Sequence, residues 1–235
     1  IPVWGMSSFQ IHCMPTTLCF DFGNTRLKFA VFTNGELKSV HALRNDHAET
    51  IRECLEKYRP DRTILSSVID HNPELENILA AETCYHKLNH HSRVPVTTPV
   101  AKPETIGADR LALVVAAHHF YPELNNLVIG LGSAITYNYV NRFGQFVGGS
   151  ISPGMEMRFR SLELLTAKLP LVEANWNFPL GGYDTKTNIQ SGVIIGVAKE
   201  IDGVIGAYEE RYEKLNVLMT GGDAQYFMPF LKKKI

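Results

Sequence analysis

The sequence predicts an α/β protein built from two similar halves, and three observations support this prediction. Its 235 residues are 45% hydrophobic and 20% charged, a composition typical of a globular chain with a sizeable core. Short apolar segments that fit strands alternate with segments whose apolar residues recur at helical spacing. The order of strand, small-residue turn, strand, turn, strand and helix occurs twice along the chain. This repetition indicates two domains of related architecture.

Four strands and two helices are predicted in the first half. Asn34-Gly35 is a typical hairpin turn between two strands. Apolar residues between 51 and 58 recur at i, i+3, i+4 and i+7, which predicts a helix, and Asn72-Pro73 is a helix start signal. The elements expected here are strands over residues 18–22, 27–32, 36–42 and 63–69, and helices around 51–58 and from 73 onward.

The second half repeats this order. The expected elements are strands over 126–131, 135–140, 145–151 and 217–220, and helices over about 154–168, over about 186–212 and after 223. The long helix also contains four glycines, which predict close packing against another element or a subunit partner. These glycines are Gly192, Gly196, Gly203 and Gly206.

Charge and cysteine usage exclude several classes of protein. The chain has 23 basic and 24 acidic residues, so its net charge of -1 gives no support to general nucleic-acid binding. No segment approaches the roughly 18 unbroken apolar residues of a membrane span. The four cysteines form no C-x-x-C pair, so we expect reduced thiols in a cytoplasmic protein. Residues 1–13 fit no element and lack the features of a signal peptide, so we interpret them as an extension.

Two hairpin turns combine glycine with hydroxyl or amide residues. The first is Gly23-Asn24-Thr25 and the second is Gly132-Ser133, each at the end of an apolar strand. Such turns present backbone N–H groups to an anion without a bulky Cβ in the way. A phosphate-binding pair of turns is therefore one hypothesis, and two ordinary hairpins are the alternative.

Charged residues beside the first turn strengthen the phosphate hypothesis. Asp21 closes an apolar strand, where burial of a carboxylate is costly unless it is paired or near a metal. Asp21 could hold a water of a bound Mg²⁺, and Lys28 could neutralise phosphate charge. The alternative for Lys28 is an ordinary surface lysine.

The segment Gly107-Ala108-Asp109-Arg110 precedes an apolar helix. Asp109 is either a plain helix-initiating acid or a general base beside an anion-binding arginine. The adjacent histidine pairs 90–91 and 118–119 are expected to point apart, so no metal site is predicted there.

Together these segments resemble the motifs of type III pantothenate kinases. Residues 21–28 (DFGNTRLK) are similar to the first phosphate motif D-x-G-N-T-x-x-K, and residues 107–110 to G-x-D-R. Residues 132–136 resemble the second phosphate motif, and residues 148–154 match G-G-x-I-x-P-G. Further segments fall in family order at 166–170, 184–185, 191–192 and 220–222, so the resemblance covers the chain from about residue 18.

The resemblance implies both a fold and an activity. The fold is two ribonuclease-H-like domains of the actin-like ATPase type, with mixed sheets flanked by helices and ATP in the cleft between them. We expect the first domain over residues 14–106 and the second over 107–235. The activity is ATP-dependent phosphorylation of pantothenate, the first step of coenzyme A synthesis, by a homodimer that uses ATP with Mg²⁺.

The resemblance also implies roles for individual residues. Asp109 would be the general base that accepts the proton of the substrate hydroxyl. The residues expected to bind ATP are Asp21, Phe22, Gly23, Asn24, Thr25, Arg26, Leu27, Lys28 and Ser133. Those expected to contact pantothenate are Gly107, Ala108, Asp109, Arg110 and Thr185.

Three positions depart from the family pattern. Gly130 stands where the family has an Asp that holds a monovalent cation, Asn138 stands where an acid is common, and Val100 replaces a Tyr that contacts pantothenate. The family implies K⁺ or NH₄⁺, but without the carboxylate at Gly130 we expect activity to respond only weakly to either cation. Two alternatives stay open: a weakened homologue acting as a regulatory protein like the Bvg accessory factors, or a kinase for another small hydroxylated acid.

Overall fold

The computed structural model describes residues 15–235, and these form two compact units that divide between Leu88 and Asn89. The predicted extension over residues 1–13 lies outside the described residues. The residues that follow the division pair with the rest of the second unit, since Thr97 forms a parallel bridge with Gln145. The domain boundary expected between residues 106 and 107 stays a prediction.

The first unit contains a five-stranded mixed sheet with the order β3-β2-β1-β4-β5. β1, β2 and β3 form an antiparallel meander, and β4 and β5 run parallel to β1. The elements are β1 (Thr16–Phe22), β2 (Leu27–Thr33), β3 (Glu36–Ala42), α1 (Ala48–Tyr58), β4 (Arg62–Ser67), α2 (Pro73–Glu82) and β5 (Cys84–Lys87).

Local sequence explains the turns and helix starts of this unit. Asn34 and Gly35 both have positive φ, at 54° and 78°, as the tight β2–β3 hairpin requires. The side chain of Asn72 caps α2 by accepting a hydrogen bond from the N–H of Glu74 at 3.0 Å. Alternation along β1 buries Phe20 and Phe22 in the core, which places Asp21 on the other face.

The second unit contains a four-stranded sheet with the order β8-β7-β6-β9. Here too the first three strands form an antiparallel meander, and the last strand runs parallel to β6. The elements are α3 (Ala108–Phe120), β6 (Asn125–Leu131), β7 (Ala134–Val140), β8 (Phe146–Pro153), α4 (Met155–Leu164), α5 (Thr185–Arg211), β9 (Leu215–Thr220) and α6 (Ala224–Phe227). The prediction of two mixed sheets flanked by helices is thus confirmed.

The long helix α5 supplies much of the second core. A capping box between Asp184 and Thr187 begins the helix, because each side chain hydrogen-bonds the backbone N–H of the other. One stripe of the helix is buried in the core. The stripe consists of Ile189, Val193, Val197, Ile201 and Ile205.

Several predicted elements differ in extent. β4 ends at Ser67, two residues early, because the Ser67 hydroxyl donates to the carbonyl of Ile69 at 3.0 Å and begins a turn. α4 ends at Leu164, where the Thr166 hydroxyl bonds the carbonyl of Leu162 at 2.7 Å. The short edge strand β5 was not predicted.

Three expectations about individual residues were wrong in part. Asp21 is exposed, so the cost of burying its carboxylate does not arise. The rings of His90 and His91 do not point apart, since their centroids lie 3.8 Å from each other. A Cβ added at Gly192, Gly196 or Gly203 would meet no described atom within 4 Å, so these glycines do not serve close packing within the described chain.

In the described part of the chain, no helix combines the length and apolar character needed to cross a bilayer.

Candidate active site

The β1–β2 turn of the first unit holds the first phosphate motif. Asp21 and Lys28 lie opposite each other in the antiparallel register, one pair away from the turn. The turn closes with a hydrogen bond from the N–H of Gly23 to the carbonyl of Arg26 at 3.2 Å. The register therefore places an exposed carboxylate and a partly exposed ammonium group at the same end of the sheet.

Other residues of this motif differ in what they can offer a ligand. Asn24, Thr25 and Arg26 are exposed, whereas the Phe22 side chain lies in the core. The carbonyl of Phe22 already accepts a hydrogen bond from the N–H of Val68 at 3.0 Å. Leu27 is partly buried and packs against the same core. The exposed tip of the turn is thus the part available to a phosphate.

The β6–β7 turn of the second unit contains Ser133 and is held by two glycines from other segments. The N–H of Gly154 donates to the carbonyl of Ser133 at 3.0 Å, and a Cβ at Gly154 would lie only 2.2 Å from the oxygen of Gly132. Gly221 has a φ of +109°, and a Cβ there would lie 2.0 Å from the oxygen of Leu131. Glycine at these positions therefore allows three backbone segments to meet at the turn.

The G-x-D-R segment forms the beginning of α3. Gly107 is the N-cap and contributes no side-chain cap, Ala108 is buried, and Asp109 lies in the first turn with its side chain partly exposed. The free N–H groups of a first turn favour a carboxylate. The first turn of α3 is therefore a favourable place for the acidic side chain of Asp109.

Arg110 follows Asp109 and points toward the sheet of the second unit. Its Nε donates a 2.6 Å hydrogen bond to Oδ1 of Asn138, and its guanidinium carbon lies 5.6 Å from the centroid of the Phe146 ring. Burial lowers the pKa of Arg110, and the charges of Asp109 and Tyr208 partly offset this effect. Because the pKa of an arginine guanidinium is very high, this lowering leaves Arg110 cationic at neutral pH.

A cavity of about 180 Å³ lies beside Arg110. This volume is below the roughly 300–1,000 Å³ of drug-sized ligand pockets, so it fits one end of a small molecule rather than a nucleotide. Two cationic side chains line it, which makes it suited to an acid group. The lining residues are Val100, Lys102, Thr105, Ile106, Arg110, Phe146, Gly148 and Gly149.

Comparison with known proteins identifies the family. The sequence profile of the family described as type III pantothenate kinase matches residues 17–207. The chain belongs to the type III pantothenate kinase family.

Named relatives of this kinase family are similar along most of their length. The chain is 38% identical to the type III pantothenate kinase of Cytophaga hutchinsonii over 93% of this chain and 91% of that protein. It is 40% identical to the type III pantothenate kinase of Christiangramia forsetii over 93% of this chain and 90% of that protein. The crystal structure of a Baf family protein from Campylobacter jejuni shares the fold, with a TM-score of 0.55, 20% identity, and coverage of 92% of this chain and 88% of that one.

Thr185 is distant in sequence from the G-x-D-R segment of this pantothenate kinase family member. It borders a cavity different from the one beside Arg110. It is the first residue of α5 and is exposed. The cavity has a volume of about 630 Å³ and is lined by residues of α4 and α5 and of the segment between them. The remaining lining residues are Arg158, Ser161, Leu162, Leu169, Asn188, Ile189, Gly192 and Val193.

Sequence reasoning missed two residues near Arg110 in the candidate site. It did not assign Lys102, although a lysine directly before the Pro103 that precedes G-x-D-R was a usable signal. It treated Asn138 only as a departure from the family pattern, whereas Asn138 contacts Arg110 directly. The two residues are 28 positions apart, and no spacing rule predicts that contact.

Proposed function

We propose that this chain transfers the γ-phosphoryl group of ATP to the primary hydroxyl of pantothenate, the first step of coenzyme A synthesis. One observation carries the proposal beyond family membership. The family's G-x-D-R segment begins α3, so that Asp109 is available in the first turn and Arg110 lines a cavity with two cationic side chains. Pantothenate has a hydroxyl to be activated and a carboxylate to be held, and this segment has one side chain for each.

In the proposed reaction Asp109 orients the hydroxyl and accepts its proton. The hydroxyl oxygen forms a bond to the γ-phosphorus, the bond from that phosphorus to the bridging oxygen breaks, and ADP leaves. Phosphoryl transfer requires alignment and charge neutralisation more than covalent chemistry by the protein. General-base assistance of this kind contributes about 10²–10⁴-fold to the rate.

ATP binding is assigned to the two glycine-containing turns. The backbone of the β1–β2 turn, its exposed residues 24–26 and Lys28 would bind phosphate oxygens, and Ser133 would bind them from the β6–β7 turn. The exposed carboxylate of Asp21 at the end of β1 fits a role in holding a water of Mg²⁺. When bound, Mg²⁺ supplies positive charge to the β- and γ-phosphate oxygens.

Gly107 to Arg110 are assigned to pantothenate, with Arg110 on the carboxylate. Thr185 is assigned to the same substrate on the basis of the resemblance alone.

We include a cytoplasmic homodimer in the proposal. Large exposed apolar side chains of the second unit support self-association: Leu164, Leu165, Leu180 and Tyr183.

ATP turnover measured with a panel of acceptors tests the proposal. Purified protein is incubated with Mg·ATP and either pantothenate or one of several small hydroxylated acids and alcohols, and ADP formation is recorded. We expect turnover that depends on pantothenate. Turnover with another acceptor, or none with any, would contradict the assignment.

A further inference from the structure

Ser66 has a buried hydroxyl oxygen for which residues 15–235 provide no hydrogen-bond partner. Two other buried side-chain atoms share this property within the same residues, and both belong to the second unit: Nδ1 of His118 and Oδ2 of Asp202. Oδ2 of Asp202 at least lies 3.7 Å from Nζ of Lys199. Because an unsatisfied buried hydroxyl costs stability, its presence in the sheet that carries the first phosphate motif calls for a functional explanation.

The register of the sheet places Ser66 in the same row as the charged residues of the motif. On β1, Asp21 pairs with Lys28 of β2 on one side and with Ser66 of β4 on the other. Side chains paired across neighbouring strands point to the same face of a sheet. Phe20 and Phe22 point to the opposite face, into the core that α1 and α2 cover. An ammonium group, a carboxylate and a hydroxyl therefore share one face, one pair away from the β1–β2 turn.

The neighbouring Ser67 shows what a hydroxyl with a local structural role does at the end of β4. Ser67 points to the other face of the sheet, since successive residues of a strand alternate. Its Oγ donates to the carbonyl of Ile69 at 3.0 Å and lies 2.9 Å from Nδ1 of His71. The Ser66 hydroxyl makes no such contact with a described residue, so local structure does not explain it.

Asp21 is the acceptor that the sheet offers to the Ser66 hydroxyl. The Ser66 oxygen is buried, so bulk water does not reach it and a partner must come from the protein. Neighbouring strands lie about 4.8 Å apart, a separation that a serine hydroxyl and an aspartate carboxylate can span by rotation of their side chains. Lys28 lies one strand further away, and an ammonium group cannot accept a hydrogen bond.

We propose that Ser66 is a positioning residue of the ATP site, whose hydroxyl donates a hydrogen bond to the carboxylate of Asp21 when Asp21 holds a water of Mg²⁺. This inference rests on the proposed function, which assigns Mg·ATP to the β1–β2 turn. A hydrogen bond from a hydroxyl to a carboxylate is charge-assisted and fixes the direction of the carboxylate. The unliganded fold is then less stable than it would be with alanine at this position, and only the complex gains the missing hydrogen bond.

The inference predicts opposite effects of Ser66→Ala on stability and on ligand binding. Alanine removes an unsatisfied buried hydroxyl, so the ligand-free variant should unfold at the same urea concentration as wild type or at a higher one. The Kd of Mg·ATP, measured by titration calorimetry, should rise at least about tenfold, as for the loss of one hydrogen bond to a charged group. The Kd of ATP measured in EDTA should not change, because Asp21 acts through the water of Mg²⁺.

Ser39→Ala is the matched control. Ser39 is a partly buried serine of β3 in the same sheet, but its hydroxyl has a partner, since Oγ lies 2.8 Å from Nε2 of His41. It pairs with Val31 of β2, away from the β1–β2 turn. Loss of this satisfied hydroxyl should lower the urea concentration at the midpoint of unfolding and leave the Kd of Mg·ATP unchanged.

A lower urea midpoint for Ser66→Ala would overturn the inference, because it would show that the hydroxyl already has a partner in the unliganded fold. An unchanged Kd of Mg·ATP would overturn it too, as would an equal loss of affinity with and without Mg²⁺. The proposed function fails in a distinguishable way, since in that case the wild-type protein itself would show no turnover that depends on pantothenate.

Discussion

Glu200 shows how one partly buried side chain connects four elements of the second unit. It lies on α5 and accepts hydrogen bonds from Tyr137 of β7 at 2.9 Å, from Ser152 of β8 and from Arg158 of α4. Burial alone would raise the pKa of Glu200, but hydrogen bonds from Ser152, Arg158 and Tyr137 outweigh burial and lower it. The ionised carboxylate therefore stabilises the folded state.

The stability of the protein should depend on the ionisation of Glu200. Because its pKa is lower in the folded state, its contribution is fully present above the unfolded pKa, about 4.3, and is lost as the pH falls through the folded pKa. We expect Glu200→Gln to unfold at lower urea concentration than wild type at pH 7, with the difference shrinking below pH 4.

Urea unfolding at the two pH values checks this prediction. Glu163→Gln is the control, because Glu163 is an exposed residue of α4 without an ion pair among the described residues. A Glu200→Gln deficit that stays constant down to acid pH would show that charge is not the source of the effect.

At the scale of elements, the β6–β7 turn depends on close backbone contacts. The oxygens of Gly132 and Ser133 would both lie within 2.5 Å of a Cβ at Gly154, and these are backbone atoms that cannot move alone. The turn is therefore fixed by packing from β8 and α4 rather than by its own sequence.

Gly154→Ala should displace this turn. We expect a loss of about 1–3 kcal/mol in the free energy of unfolding, as for other overpacked sites, together with weaker ATP binding. Gly203→Ala is the control, since a Cβ there meets no described atom within 4 Å. That helical substitution should be neutral or stabilise by up to about 1 kcal/mol. A Gly154→Ala variant with wild-type stability and ATP affinity would refute the role of the turn.

Elements with a clear apolar pattern could be predicted from sequence, and those held by pairing could not. The apolar segment over 18–22 predicted β1 and the helical spacing over about 186–212 predicted α5, each to within two residues at either end. β5 has the sequence CYHK and no apolar alternation, because it is an edge strand stabilised by pairing with β4. Its existence follows from the sheet rather than from its own residues.

At the scale of the whole molecule, the motif residues are divided between the two units. The first phosphate motif is in the first unit, whereas G-x-D-R and the second turn are in the second unit. The sequence predicted these positions because each motif is local. It could not predict the hydrogen bond from Arg110 to Asn138, or that the Thr136 hydroxyl lies where a side chain at residue 130 would need room, because both depend on contacts between elements.

The response of activity to monovalent cations is a property of the assembled enzyme. Gly130 offers no carboxylate, and the hydroxyl of Thr136 occupies the space that a side chain would need. We therefore expect pantothenate-dependent turnover to change little when K⁺ or NH₄⁺ is titrated at constant ionic strength. A steep requirement for either cation would show that other ligands replace the acid.

The central claim is that Asp109 of the second unit removes the proton from pantothenate while a separate motif holds ATP. The most direct measurement is the turnover number of Asp109→Asn, with ATP affinity determined in parallel by titration calorimetry. The account predicts unchanged ATP affinity and turnover lower by at least about a hundredfold, the usual contribution of a general base. Turnover close to that of the wild type would contradict it.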